Sequence, residues 1–126
     1  MVEALEATGD TAGAREYRLR LLEAHPDSRE ALAVAKAMRP FRTVPEMFHG
    51  AHAYAKNGRT RSAIRIFRSI VRKSGDPIWR GRAQYELGMV YLGRRDYRTA
   101  ERTLDRAYTK FNVPKALYHR ARCTVR

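Results

Sequence analysis

The chain has 126 residues, the length of a single domain, and no apolar run in it reaches the roughly 18 residues that a membrane-spanning helix needs. Lys and Arg number 26 against 13 Asp and Glu, and the formal net charge of +13 favours acidic partners such as nucleic acid or an acidic protein segment. Solvated helix faces rich in arginine explain the same charge without any partner. The single cysteine, Cys123, excludes an internal disulfide and a cysteine-based zinc site, and it leaves the cytoplasm and the bacterial periplasm both open.

Apolar residues recur at intervals of three and four along the chain, as they do on one face of a helix, and no long stretch alternates as a strand does. The second predicted helix has Ala14, Tyr17, Leu21 and Leu22 on its apolar, inner face, and Ser28 precedes the third helix as a cap. Pro40 ends that third helix. We predict eight helices, over residues 2–8, 12–25, 29–38, 45–57, 60–74, 78–92, 97–111 and 115–126.

The clearest pattern lies in residues 83–107, which are predicted to form two helices that meet at a tight turn. Small residues stand where the two helices must approach closely, with large residues beside them: Leu87, Gly88 and Tyr91 on the first helix, Ala100, Leu104 and Ala107 on the second. This order resembles the L-G-x-x-Y and A-x-x-x-F/L signature of the tetratricopeptide repeat (TPR) family.

The resemblance implies an all-α fold, in which antiparallel helical hairpins stack as a TPR-like right-handed superhelix, or α-solenoid. Equivalent small residues support a repeat, because Ala51 and Gly88 are as far apart in the chain as Ala63 and Ala100. We expect a single domain over residues 1–126 that is a fragment of a longer protein. Its predicted parts are a degenerate or terminal repeat (1–28), an extra helix with a proline-flanked linker (29–45), two repeats (46–76 and 77–113) and a partial repeat (114–126).

The resemblance also implies where a partner would bind. TPR proteins that bind peptides use a concave surface lined by the first helix of each hairpin, and aromatic residues beside basic ones would hold an extended acidic or aromatic segment there. Packing of the same rings in the core is the alternative, and the chain lacks the Lys/Asn constellation with which some TPR proteins clamp a peptide carboxylate. The candidate partner-binding residues are Phe48, His52, Arg82, Tyr85, Met89, Lys115, Tyr118 and Arg122.

Basic residues form stripes on two helices, on the side opposite the small residues, so we predict that both stripes face solvent. Such a stripe is either a ridge that binds anions or simply a solvated helix face, and Glu101 and Asp105 dilute the second one. The stripes are Arg61, Arg65, Arg68 and Arg72 on the fifth predicted helix, and Arg98, Arg102, Arg106 and Lys110 on the seventh.

Patterns of catalytic chemistry are missing from the sequence: it has no paired carboxylates, no nucleophile elbow and no Gly-rich phosphate loop. Glu46, His49 and His52 lie close together along one helix, but two histidines and one carboxylate are weak evidence for a metal site without a further ligand. We therefore predict no enzyme activity, no cofactor and no metal.

The sequence favours a non-catalytic scaffold that binds a protein or peptide segment, acidic in character, in a concave groove. Two alternatives stay open. A basic helical repeat also suits nucleic acid or another polyanion, with an affinity that falls steeply as salt rises. The hairpins from Trp79 to Tyr108 also resemble those of bacterial envelope proteins such as the helical region of soluble lytic murein transglycosylases, which implies that a catalytic domain lies outside these residues.

Overall fold

The computed structural model describes residues 11–124, and these residues form seven α-helices and no β-strand. The predicted all-α fold is therefore confirmed, and the first predicted helix, residues 2–8, lies outside the described residues. Each observed helix begins and ends within about two residues of its predicted bounds. In chain order the helices are α1 Thr11–Ala24, α2 Arg29–Met38, α3 Val44–Lys56, α4 Thr60–Lys73, α5 Pro77–Gly93, α6 Tyr97–Thr109 and α7 Lys115–Thr124. Within this described range, none of the helices combines the length and the apolar character that crossing a membrane requires.

Short polar side chains begin several of these helices. Ser28 caps α2 as predicted, because its Oγ accepts a hydrogen bond from the backbone N–H of Ala31 at 3.0 Å. Thr43 and Asp76 cap α3 and α5 in the same way. Each cap satisfies a backbone donor that the first turn of a helix leaves without an intrahelical partner. The capping side chains thus determine where these helices start.

The chain divides into two compact units, one ending at Arg59 and one beginning at Thr60. The division falls within residues 46–76, which the sequence predicts as one repeat, so the repeat boundaries remain predictions. The first unit contains α1, α2 and α3, and the second contains α4 to α7.

The core of the first unit is formed by apolar residues at helical spacing. Ala14 and Leu22 of α1 pack here with Met38 of α2 and Ala51 of α3, all of them 1% exposed or less. Tyr17, predicted to point inward, is 37% exposed, so that prediction is wrong. A helix of 14 residues covers its core with a narrow stripe, and a tyrosine at the edge of the stripe keeps its hydroxyl in water.

A partly buried ion pair connects the three helices of the first unit, and we call it the Arg15–Glu46 clamp. Arg15 donates from Nη2 to Glu46 Oε1 at 2.6 Å and from Nε to Oε2 at 3.1 Å. Arg15 also reaches the carbonyl of Met38 at the end of α2, and the backbone N–H of Arg42 donates to Glu46 at 2.8 Å. Glu46 is 7% exposed, yet the hydrogen bond from Arg15 lowers its pKa by more than burial raises it.

The second unit is a series of helices in which α5 packs against α4 and α6, and α6 packs against α7. Gly88 of α5 faces Leu104 of α6 so closely that an added Cβ would lie 2.5 Å from the leucine Cδ2. Ala63 and Ala100 are fully buried. The prediction that small residues mark close helix contacts is confirmed, since only small side chains let two helix backbones approach this far.

Candidate protein-binding surface

Helices α5 and α7 bring together several of the predicted partner-binding residues. The ammonium group of Lys115, at the start of α7, lies 4.5 Å from the centroid of the Tyr85 ring on α5. These two residues are 30 positions apart in the chain, and α6 separates their helices in sequence. We use the name α5/α7 surface for the patch that comprises Arg82, Tyr85, Met89, Lys115, Tyr118, His119 and Arg122.

His119 lies at the centre of the α5/α7 surface, although the sequence reasoning did not select it. Its ring centroid lies 5.8 Å from that of Tyr85 and 5.0 Å from that of Tyr118, with the Tyr118 ring edge-on. Arg122 Nη1 lies 3.0 Å from His119 Nδ1. The signal was present in the sequence, because Lys115, His119 and Arg122 follow the i, i+4, i+7 spacing of one helix face.

The residues of this surface differ in how far a partner can reach them. Tyr118 is 67% exposed, whereas Tyr85 is only 8% exposed and forms part of the floor. Lys115 and Arg122 are exposed, and Met89 and His119 are half-buried. The accessible part of the surface is thus one aromatic ring among basic side chains.

Stacking extends the surface along α5. The guanidinium of Arg82 lies 4.4 Å from the centroid of the Trp79 ring, one turn before it on the same helix. Trp79 is half-buried and Arg82 is exposed. Arginine stacks on an aromatic face through the plane of its guanidinium, so this contact does not use the N–H groups at the edge of the group.

The charge of the α5/α7 surface comes from lysine and arginine. Burial lowers the pKa of His119, and the nearby Arg122 and Lys115 lower it further, against a smaller opposing effect of Glu86. Burial and the neighbouring Glu86 raise the pKa of Tyr85, whereas Arg122 opposes them. At neutral pH both rings are therefore uncharged, and the cationic groups face a partner over a neutral aromatic floor.

The two remaining predicted residues lie in the first unit, and one of them is in its core. Phe48 is 3% exposed and packs edge-on against His49, with a distance of 5.2 Å between the ring centroids. His52 is half-buried, with its ring centroid 6.3 Å from that of Phe48. Any role of these two residues in binding remains a prediction.

Glu46, His49 and His52 do not come together as metal ligands. The carboxylate of Glu46 is taken up by Arg15, and His49 Nε2 lies 3.2 Å from Glu23 Oε1. Over residues 11–124, no group of three His, Cys, Asp or Glu side chains is arranged to hold a metal ion.

Both basic stripes are exposed along their whole length, which confirms the prediction that they face solvent. However, one arginine in the stripes also contacts a neighbouring helix. Arg68 Nη2 donates to the hydroxyl of Tyr91 on α5 at 2.6 Å. One arginine of the first stripe is thereby held against the neighbouring helix.

Comparison with known proteins agrees with the repeat pattern in this part of the chain. Residues 85–125 match the sequence model of the tetratricopeptide repeat family, and the matched region contains α6, α7 and most of the α5/α7 surface. No curated protein and no solved structure matches the chain significantly. The more specific resemblance to transglycosylases therefore stays a prediction. Residues 85–125 are thus similar to a tetratricopeptide repeat, and the match covers 41 of the 126 residues.

Proposed function

We propose that the chain is a non-catalytic scaffold that binds an acidic protein or peptide segment at the α5/α7 surface. The observation that carries the proposal is the position of Tyr118, a largely exposed ring beside Lys115 and Arg122, within the region that matches the family. Tyrosine and arginine are the residues most often found at the energetic centres of protein interfaces. Because Tyr118 and Arg122 are exposed, a partner can reach both side chains.

The chemistry of the surface favours an acidic partner. Lys115, Arg122 and Arg82 attract carboxylates, and the faces of Tyr118 and His119 accept an aromatic or aliphatic side chain by stacking. Glu86 is the acidic neighbour of this patch, and it disfavours acidic side chains at the edge that it occupies. We therefore expect a short segment in which one apolar side chain is flanked by carboxylates.

Selection from a displayed library of random peptides against the full chain tests this expectation. Enriched peptides should combine Asp or Glu with an aromatic residue. The affinity of a fluorescein-labelled consensus peptide is then measured by anisotropy for the chain and for the variant Tyr118→Ala with Arg122→Ala. Loss of both anchors should weaken binding about tenfold or more. Tyr85 is unsuitable as a probe, because a buried ring contributes to stability as well.

A matched control uses the same residue types on another part of the unit. Tyr108 is 38% exposed and Arg98 is exposed, both on α6, and neither belongs to the α5/α7 surface. Tyr108→Ala with Arg98→Ala removes an equal charge and an equal ring, so it should leave binding within about twofold. Equal losses in the two double variants would show that net charge, and not the surface, determines affinity.

The same samples separate this function from nucleic-acid binding. With a net charge of +13, weak association with oligonucleotides at low salt is expected of this chain in any case. Titrations with labelled single- and double-stranded oligonucleotides at two salt concentrations decide the matter. Tight binding that persists near physiological salt, together with no enrichment of peptides, would replace the proposal with the nucleic-acid alternative.

A further inference from the structure

The second unit has a cleft on the side of α5 that faces away from the α5/α7 surface. Helices α4 and α6 both pack on α5, and within the described unit they do not pack on each other. The gap between them is a cleft of about 410 Å³. We call it the α4/α6 cleft, and a volume in this range is typical of sites for small ligands.

Three arginines line the α4/α6 cleft, and no Asp or Glu does. Arg68 and Arg72 come from α4, and Arg106 comes from α6. Arg68 is bonded to the neutral hydroxyl of Tyr91, and among the described residues neither Arg72 nor Arg106 forms an ion pair. The lining therefore carries three positive charges with no internal counterion.

A second cleft in the same unit has acidic as well as basic residues in its lining, so a purely basic lining is not common to both clefts. The cleft of about 430 Å³ at α6 and α7 is lined by Arg102 and Arg120, but also by Glu101 and Asp105. Arg120 forms an ion pair with Asp105 there. Two clefts of similar size thus differ in their charge: one is internally neutralised, and the α4/α6 cleft is not.

The hydrogen-bonding groups of the α4/α6 cleft are mostly donors. The Tyr91 oxygen accepts from Arg68, so the hydroxyl hydrogen of Tyr91 is left to donate to a ligand. Thr103 instead donates its hydroxyl hydrogen to the carbonyl of Thr99 at 2.7 Å and has only lone pairs to offer. Thr99, whose hydroxyl can donate or accept, also lines the cleft. Guanidinium groups with hydroxyl donors beside them match the oxygens of a phosphate monoester, which carries nearly two negative charges at neutral pH.

From this geometry we infer that the α4/α6 cleft binds a phosphate monoester group. This site is separate from the α5/α7 surface and does not depend on the proposed function. The group belongs either to a small molecule or to a phosphorylated side chain of a protein. A cleft bounded by two helices accommodates one compact dianion better than the long row of monoanionic phosphodiesters in a nucleic acid strand.

Two double variants with the same change in net charge test the inference. Arg72→Gln with Arg106→Gln removes one cleft arginine from each helix. Arg61→Gln with Arg98→Gln is the matched control, because these exposed residues lie on the same two helices and outside the lining. Circular dichroism confirms that both variants are folded.

The probes are inorganic phosphate, followed by calorimetry, and a fluorescein-labelled phosphoserine peptide, followed by anisotropy, both at physiological salt. Arg72→Gln with Arg106→Gln should weaken the binding of at least one probe about tenfold or more, and the control should change it less than about twofold. If inorganic phosphate displaces the labelled phosphopeptide, the two probes bind at the same site through the phosphoryl group. Binding of phosphate without preference for the peptide points to a small-molecule ligand, and a strong preference for the phosphopeptide over its unphosphorylated form points to a modified protein.

Three outcomes would overturn the inference. The first is that neither probe binds the unmodified chain. The second is an equal loss in both double variants, which would reduce the effect to general electrostatics. The third is a single-stranded oligonucleotide that binds more tightly than either probe and loses its binding in the cleft variant. Since none of these variants touches Tyr118 or Arg122, failure here leaves the test of the α5/α7 surface unaffected.

Discussion

The two units of the chain hold their helices together by different means. In the first unit a partly buried ion pair, the Arg15–Glu46 clamp, connects α1, the end of α2 and α3. In the second unit Gly88 packs closely against the apolar side chain of Leu104, and the ion pair between helices, Arg120–Asp105, is more exposed than the clamp. The first unit thus has an ion pair at the centre of its helix contacts, whereas the second has a close apolar contact there and its ion pair nearer the surface. The clamp responds to pH, whereas the contact between two apolar surfaces does not.

The largest effect is expected from placing a charge in the apolar contact region of the second unit. Ala100 is fully buried on α6, so Ala100→Arg introduces a long charged side chain where no space or counterion exists. We expect the free energy of unfolding to fall by about 3–5 kcal/mol. Fluorescence of Trp79, the single tryptophan, follows urea unfolding in this unit. Tyr108→Arg on the same helix is the exposed control, and an equal change in both variants would contradict the packing of α6.

The next effect concerns the clamp in the first unit. Glu46→Gln keeps the shape of the side chain but removes its charge, which leaves the guanidinium of Arg15 without its counterion. We expect a loss of about 2 kcal/mol at neutral pH, localised by hydrogen exchange to α1 and α3. Glu16→Gln is the control, because the Arg20–Glu16 pair is well exposed and its loss should change stability by less than about 0.5 kcal/mol.

The clamp also predicts the direction of the pH dependence. The pKa of Glu46 is lowered in the folded chain, so its contribution is fully present above the ordinary carboxyl pKa and is lost as the pH falls through the lowered value. The difference in stability between the unmodified chain and Glu46→Gln should therefore shrink below about pH 4. A difference that stays constant down to acid pH would show that the carboxylate is not held as described.

A smaller effect is expected from Gly88→Ala, where two contributions oppose each other. Alanine favours the helix by up to about 1 kcal/mol, but the new methyl group would lie 2.5 Å from Leu104 Cδ2 and 2.6 Å from Cγ. Because the overlap involves the branch point of the leucine, we expect a net loss of about 1 kcal/mol. The loss should become smaller in a Leu104→Ala background, as a double-mutant cycle in urea measures. Additive losses would mean that the two residues do not touch.

The smallest effect is a shift in the titration of His119. Burial is the main cause of its lowered pKa, with Arg122 second. Arg122→Gln should therefore raise the pKa of His119 towards its ordinary value, as proton NMR of the imidazole resonances measures. The exposed Arg102 serves as the control, and its replacement by Gln should leave that titration unchanged. A shift of equal size in both variants would contradict the close approach of Arg122 to the ring.

The helices themselves were predictable from the sequence because their signals are local. Periodic apolar residues, and capping residues such as Ser28, can be recognised from one or two helical turns of sequence. The small residues Ala63, Gly88 and Ala100 can be recognised in the same way. Tyr17 shows the limit of this reasoning, since a period of 3.6 residues does not determine the width of the buried face of a helix, and Tyr17 lies at its edge.

The candidate site was only partly predictable, and the reason differs from residue to residue. The sequence selected Tyr85 and Tyr118 alike, yet one is 8% and the other 67% exposed, because the neighbouring helix covers only the first. His119 was missed because its importance comes from Tyr85, on a helix that is remote in the chain.

The amino-acid sequence by itself determined the positions of the seven described helices and most of their inner faces, and it contains the pattern by which residues 85–125 match a repeat family. Only the tertiary structure decided which charges find counterions. Arg15 meets Glu46 across 31 positions, while Arg72 and Arg106 meet at a cleft without any acid. Charge pairing depends on distances between helices, and those distances are set by the packing of the whole unit and not by the spacing of residues along one helix.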